Sequence, residues 1–224
     1  KFPIRSLSNV RYDPKKGHFA MKAGRKERTL TVGTVRTFAQ SMRMLAMCKG
    51  LIETDEIIHK REAYYQAYNW DECRFNEQPE SDTIMDDIEA MYGVNREQLG
   101  FIPDVHGGSV IGELIVIDKN PATGRSIELD MTKMGTSGWT IPSRVEELGF
   151  RTKAKFILVV ETTAIYQRLV HHAFWKNAHC ILVSMSGVPT RACRRFVRRL
   201  ADQQKIPVYA FTDETRTVVP TMPV

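Results

Sequence analysis

The chain has 224 residues, 42% of them hydrophobic and 26% charged, and carries a formal net charge of +6. This is the composition of a soluble globular protein with room for one large or two ordinary domains. No stretch approaches the roughly 18 consecutive apolar residues of a membrane span, and the start, Lys1-Phe2-Pro3-Ile4-Arg5, has no apolar signal-peptide region. Four scattered cysteines (Cys48, Cys73, Cys180, Cys193) form no C-x-x-C pair and read as reduced thiols of a cytoplasmic protein. Residues 1–28 hold nine basic and two acidic side chains, whereas residues 71–147 hold sixteen acids against six bases. A chain basic at both ends and acidic in the middle is expected to offer separate surfaces to a polyanion.

In chain order, residues 1–28 read as a polar arm or irregular lead-in. From Val35, the positions Val35, Phe38, Ala39, Met42, Leu45 and Ala46 repeat with helical spacing, and Gly50 is expected to stop that helix. A second helix is expected from about His59 to Tyr68, and a third from Ser81 to Gly93 with Ile84, Ile88 and Met91 inside. Three short helices ahead of a strand-like run, Ser109 to Ile117, suit a winged-helix or helix-turn-helix domain. Arg125 to Asp130 and Trp139 to Pro142 supply further short strands.

The last third alternates apolar runs with helical periodicity. A strand from Phe156 to Val160 ends on Glu161, and a helix is expected from Thr163 to Trp175. A strand from Cys180 to Met185, a turn at Gly187-Val188-Pro189, a helix from Thr190 to Gln204 and a strand from Val208 to Phe211 follow, the last leading to Asp213. This pattern predicts βαβ units and a parallel sheet. In such sheets the working groups sit at the carboxyl ends of the strands, so Glu161 and Asp213 form a plausible site for a hard cation such as Mg²⁺.

Between Arg151 and Lys205 there are eleven Lys or Arg residues and two acids, Glu161 and Asp202. Cys193, Phe196, Val197 and Leu200 mark one face of the second helix, while Arg191, Arg194, Arg195, Arg198 and Arg199 crowd the rest. Such a face suits phosphate oxygens, which arginine grips bidentately; the plain alternative is a solvated helix surface. His171-His172 and His179-Cys180 read as structural, not as a metal site. No G-x-G-x-x-G follows the first strand, which argues against a nucleotide-binding module.

In Lys60-Arg61-Glu62-Ala63-Tyr64-Tyr65, Arg61 lies one helical turn before Tyr65. A neighbouring cation would favour the phenolate and stabilise charge at a phosphorus under attack. On spacing alone Tyr64, Tyr65 and Tyr68 read more readily as aromatics of a small core.

The segment Arg61-Glu62-Ala63-Tyr64-Tyr65 resembles the R-x-x-[FY]-Y motif of the meiotic double-strand-break transesterases and of topoisomerase VI A subunits. Arg5 to Asn9 with Tyr12, Asn76 to Asp82, His106-Gly107-Gly108, Lys153 to Phe156, Val160-Glu161, Gln167 to His172 and Gly187 to Arg191 are similar to further family segments in the same order. The resemblance implies an α/β plus α+β protein: an arm (1–28), a CAP-like winged-helix domain bearing the tyrosine (29–98), a β-rich connection (99–152) and a partial Toprim domain (153–224). It implies that Tyr65 attacks a phosphodiester of double-stranded DNA and becomes joined to the 5′ end, with Arg61 beside it. Glu161 and Asp213 would hold Mg²⁺, and Gly187 with the arginines would face DNA. The family acts as a homodimer, the tyrosine of one subunit working against the metal site of the other. A separate GHKL-type ATPase B subunit completes an A2B2, nucleoid-associated, ATP-dependent type IIB topoisomerase.

The family continues from the last strand as D-G-D-P-Y-G, whereas Asp213-Glu214-Thr215 puts Thr215 where the second aspartate belongs, and the sequence ends at Val224. That departure reads as C-terminal truncation, with DNA binding expected to exceed cleavage. Two alternatives stay open: a catalytically impaired DNA-binding remnant, or a Toprim metal-dependent nuclease in which Tyr65 is a core residue.

Overall fold

The computed structural model describes residues 1–6, 8–13, 18–22, 26–103 and 107–212, with only the main chain described at 12–13 and 18–21. The chain divides into two compact units, Lys1–Val105 and His106–Val224. Among the described residues, no helix is long and apolar enough to cross a membrane.

In the first unit, β1 (Phe2–Pro3) pairs with β4 (Glu27–Arg28), and β2 (Val10–Asp13) pairs with β3 (His18–Met21), both antiparallel. Helix α1 (Val35–Thr54) follows, then β5 (Ile58–His59), α2 (Lys60–Gln66), α3 (Gln78–Tyr92) and β6 (Phe101–Ile102), which runs parallel to β5. Helix α1 passes through Gly50 instead of ending there, and closes at Asp55, a left-handed residue with φ 53° whose N–H bonds Leu51 O. A helical glycine costs about 1 kcal/mol. Burying Leu51 one residue later contributes about 2 kcal/mol, enough to carry the helix past it. Helix α3 begins earlier than expected, with Pro79 in its first turn, and ends at Gly93 (φ 65°) as expected.

The segment read as an irregular lead-in is partly packed. Phe2 is buried and meets Phe38 of α1 edge-on, and two arginines anchor the segment to α3: Arg5 Nη1 to Asp86 Oδ1 at 2.8 Å, and Arg28 Nη1 to Asp87 Oδ2 at 3.3 Å. Composition could not show this, because the arginines' partners lie more than fifty residues away.

That anchorage has a pH signature. Burial pushes the Asp86 and Asp87 carboxyls above their usual range, against the pull of Arg96 and Arg5 on the first and of the Arg5 N–H and Arg28 on the second. A raised folded-state value means that the native state binds the proton more tightly than the unfolded chain. Stability from these two groups therefore rises as pH falls from the raised value toward the ordinary carboxylate value near 3.9, and is lost as pH climbs back. Melting curves of the native chain and of Asp87→Asn across mildly acidic pH should show their difference shifting in favour of the native chain as pH falls.

The second unit is built on a five-stranded sheet in the order β10-β7-β13-β12-β14. Its members are β7 (Ser109–Gly112), β10 (Trp139–Thr140), β12 (Phe156–Val160), β13 (Cys180–Ser184) and β14 (Val208–Phe211). Strand β12 is parallel to both β13 and β14, as the βαβ pattern predicts, while β7 and β10 add antiparallel on the far side. A second sheet holds β8 (Leu114–Lys119) between β9 (Ser126–Asp130) and β11 (Gly149–Thr152). The expected run Ser109 to Ile117 is thus two strands in two sheets. Gly112 makes the handover: its φ is 133°, and a Cβ there would overlap the Cys180 carbonyl oxygen, so only glycine fits.

Alternation along the strands covers both faces of the large sheet. Ile157, Val159, Ile181 and Val183 pack toward α6 (Arg191–Gln204) and the second sheet, whereas Val160, Cys180 and Leu182 pack toward α4 (Thr163–His171) and the short α5 (Phe174–Asn177). The single helix expected over Thr163 to Trp175 is broken at Ala173, which has φ 48°. All four cysteines are free thiols; burial pushes Cys48 up to about 12 and Cys180 and Cys193 up to about 11, which leaves these three unreactive at neutral pH.

Candidate active site and nucleic-acid surface

Helix α2 presents two faces. Ala63, and Ala67 one turn on, are fully buried, so the opposite face looks outward. Arg61 and Tyr65 are both exposed there, Tyr65 to 53%. The core-aromatic account of Tyr65 therefore fails, and so it does for Tyr68, which is 52% exposed. The small buried side chains decide this: alanines let α2 lie close to the core, and the bulky phenols are left on the rim. Tyr64 is half-buried, its hydroxyl 2.9 Å from that of Tyr68 and donating to Asn76 O at 3.2 Å. Sequence reading missed this polar partnership, because nothing local marks a main-chain carbonyl twelve residues ahead. The i,i+4 spacing of Tyr64 and Tyr68 was the available signal.

In the second unit, Glu161 stands half-exposed at the carboxyl end of β12. Its N–H donates to Phe211 O at the end of β14 (3.0 Å), and its carbonyl accepts from Gly187 N (2.9 Å). The turn after β13, with Gly187 at φ 89°, is thus folded onto the same sheet end. It leads straight into α6, where Thr190 caps the helix by accepting from Cys193 N at 3.3 Å. Glu161 therefore shares its end of the sheet with the positive end of the α6 dipole. Asp213, Glu214 and Thr215 lie outside the described residues. Among the described residues no three His, Cys, Asp or Glu side chains are grouped as a metal ion would need. A strand-end carboxylate is the oxygen donor that a hard cation takes, so Glu161 fits a Mg²⁺ site as one ligand. His179 Nδ1 lies 2.8 Å from Glu113 Oε1.

The arginines of α6 do not share one environment. Arg194 is exposed, and Arg191, Arg198 and Arg199 are half-buried. Arg195 is buried and ion-paired with Glu146. Arg199 donates to Glu146 O (2.8 Å) and Leu148 O (3.1 Å), and burial pulls its guanidinium below the usual value. Arg198 pairs with Asp202 one turn on, at 2.8 Å. The helix packs against the chain leading into β11, so two arginines that look solvent-facing in the sequence serve the interior. The pattern is invisible locally because the receiving oxygens, the Glu146 carboxylate for Arg195 and the Glu146 and Leu148 carbonyls for Arg199, lie some fifty residues upstream.

Comparison with known proteins bears on both units. Residues 36–101 match the family described as "Type IIB DNA topoisomerase", and residues 106–154 match "All-beta domain in DNA topoisomerase VI alpha subunit". Residues 156–217 match the Toprim domain shared by Spo11 and the topoisomerase 6 A subunit. A Methanocaldococcus jannaschii protein, named as the A subunit of type 2 DNA topoisomerase 6, is 46% identical over 211 residues, covering 94% of this chain and 57% of that protein. The chain belongs to the topoisomerase VI A-subunit family. Proteins of the same name from Aeropyrum pernix (34% identical over 228 residues, 95% of this chain and 56% of that protein) and Methanothermobacter thermautotrophicus (32% over 217 residues, 95% and 59%) agree. The chain spans somewhat more than half the length of these curated relatives.

Proposed function

We propose that this chain is the DNA-cleaving and rejoining part of the A protein of a type IIB topoisomerase, and that it works through Tyr65. The observation that carries the reading is the exposure of Tyr65 and Arg61 together on the outward face of α2, within the family's tyrosine motif. In this reading helices α1–α3 with β5 and β6 form the CAP-like winged-helix domain that offers the tyrosine to duplex DNA, and residues 153–224 belong to the Toprim domain.

The Tyr65 oxygen attacks the scissile phosphorus, forming a P–O bond to the 5′ phosphate as the P–O3′ bond breaks. The phenol gives up its proton to solvent as it attacks, and the leaving 3′ oxygen takes one up. Arg61, one turn away, is placed to bind the phosphate oxygens as negative charge grows on them. Glu161 and Asp213 would hold Mg²⁺, which supplies Lewis-acid charge to the phosphate oxygens when bound. Because the phosphotyrosyl bond keeps the energy of the broken phosphodiester, resealing is the reverse reaction and needs no ATP. A homodimer would cut the two strands with a stagger, each tyrosine serving the other protomer's metal site. A GHKL-type ATPase partner would gate strand passage.

Of the α6 arginines, Arg194 is the strongest candidate for a phosphate contact, with Arg191, Arg198 and Gly187 beside it; Arg195 and Arg199 are already committed to the interior. Arg194→Glu should lower affinity about equally on unrelated duplexes and reduce the slope of log K against log salt by about 0.9. A salt titration by fluorescence anisotropy reads both. Function itself is tested by incubating the chain with supercoiled plasmid and Mg²⁺, then adding detergent and protease. Linear DNA with tyrosine on its 5′ ends supports the reading, whereas linear DNA with free 5′ phosphates points to a nuclease.

A further inference from the structure

Three phenols, Tyr64, Tyr65 and Tyr68, lie within about one turn of each other where α2 ends, and their hydroxyls are treated differently. The Tyr64 hydroxyl donates its proton to Asn76 O at 3.2 Å. A phenol has one proton to give, so at the 2.9 Å contact between the two hydroxyls Tyr68 is the donor and Tyr64 the acceptor. Both protons are committed. The final acceptor is itself held in place. Asn76 N and Nδ2 donate to the two oxygens of Glu80, at 2.9 and 3.2 Å. Arg36 Nη2 donates to Asn76 Oδ1 and Arg74 O, both at 3.0 Å, and Gln40 Nε2 donates to Arg74 O at 3.1 Å. The carbonyl that ends the chain of hydrogen bonds is thus tied to both α1 and α3.

Tyr65 sits against this pair without joining it. Its ring stacks on Tyr68 (centroids 6.3 Å apart, interplanar angle 20°) and lies tilted on Tyr64 (5.6 Å, 45°). Among the described residues, no hydrogen bond engages its hydroxyl. We propose that Tyr64 and Tyr68 form a hydrogen-bonded clamp that positions Tyr65 and withdraws its two neighbours, leaving one reactive hydroxyl of the three. The inference rests on the reading of Tyr65 as the nucleophile. Stacking on a ring fixed at its far end restricts the rotation of an exposed side chain, which raises the fraction of time that its oxygen points along one line of attack.

Two measurements on the full chain test this, and only the second needs DNA. In the first, tyrosines labelled at Cζ are titrated by carbon NMR in the native chain and in Tyr68→Phe. Because Tyr64 accepts from Tyr68, the clamp requires Tyr64 to titrate higher in Tyr68→Phe, where its phenolate loses that donor; an unmoved Tyr64 overturns it. In the second, the single-turnover rate of covalent adduct formation is measured with Mg²⁺ and duplex DNA. Tyr68→Phe, which keeps the ring and removes the hydroxyl, should slow the step about tenfold with DNA affinity unchanged. A role in packing alone would be rescued by that ring, so a native rate in Tyr68→Phe overturns the clamp even where Tyr65→Phe abolishes the adduct. An adduct that survives Tyr65→Phe instead removes the nucleophile reading beneath it.

Discussion

Tyr65→Phe is expected to abolish covalent capture of DNA, by at least about a thousandfold, while leaving the fold and DNA affinity close to native. On the proposed reading the substitution removes the atom that would form the new P–O bond, and no general acid, base or metal ion can replace a missing nucleophile. The side chain is 53% exposed, so stability should change by no more than about 0.5 kcal/mol. Labelled duplex retained by protein on a denaturing gel, set beside binding measured by anisotropy, separates the two effects. Equal loss of binding and capture would mean that Tyr65 serves DNA contact and not chemistry. Glu161→Ala should lower capture while leaving binding near native, since Tyr65 stays in place.

Arg195→Ala should be the most damaging of the α6 arginine substitutions for stability, and its effect on DNA binding should be small. Arg195 is buried against Glu146, whose side chain is 16% exposed. Truncating one partner of a buried pair strands the other charge in a poorly solvated place and costs about 3 kcal/mol or more. For a unit of this size that corresponds to a melting point lower by roughly 10 °C. Arg199→Ala should cost about 1–3 kcal/mol, because it leaves the Glu146 and Leu148 carbonyls without their donors. Arg194→Ala, on an exposed position of the same helix, should stay within about 0.5 kcal/mol. Differential scanning fluorimetry ranks the three. A salt slope for DNA binding that is unchanged in Arg195→Ala would complete the case that a dense arginine run here serves two purposes.

The parallel part of the large sheet was readable because the residues of β12, β13 and β14 are short apolar runs with nothing polar to break them, and β12 is buried on both faces. Helix α1 was readable from its spacing, but its length was not: the gain from burying Leu51 is tertiary and outweighs the local signal of Gly50. The run through Gly112 reads as one strand because periodicity does not reveal that consecutive residues join different sheets. At the candidate site, spacing alone favoured a buried Tyr65, and the family motif pointed the other way. Its exposure depends on Ala63 and Ala67 facing inward, a contrast of side-chain size that a count of aromatics overlooks. Arg195 and Arg199 show the reverse error. Charge marked them for solvent, and partners far along the chain drew them in.

The central claim is that one hydroxyl, that of Tyr65, takes the 5′ phosphate of cleaved DNA. The most direct measurement traps the adduct formed with Mg²⁺ by adding detergent, digests the DNA to a residual nucleotide and locates that nucleotide by peptide mass spectrometry. The expected result is a nucleotide on Tyr65 alone, with Tyr64 and Tyr68 unmodified. A nucleotide on Tyr64 or Tyr68, or cleaved DNA with no protein attached, would contradict it.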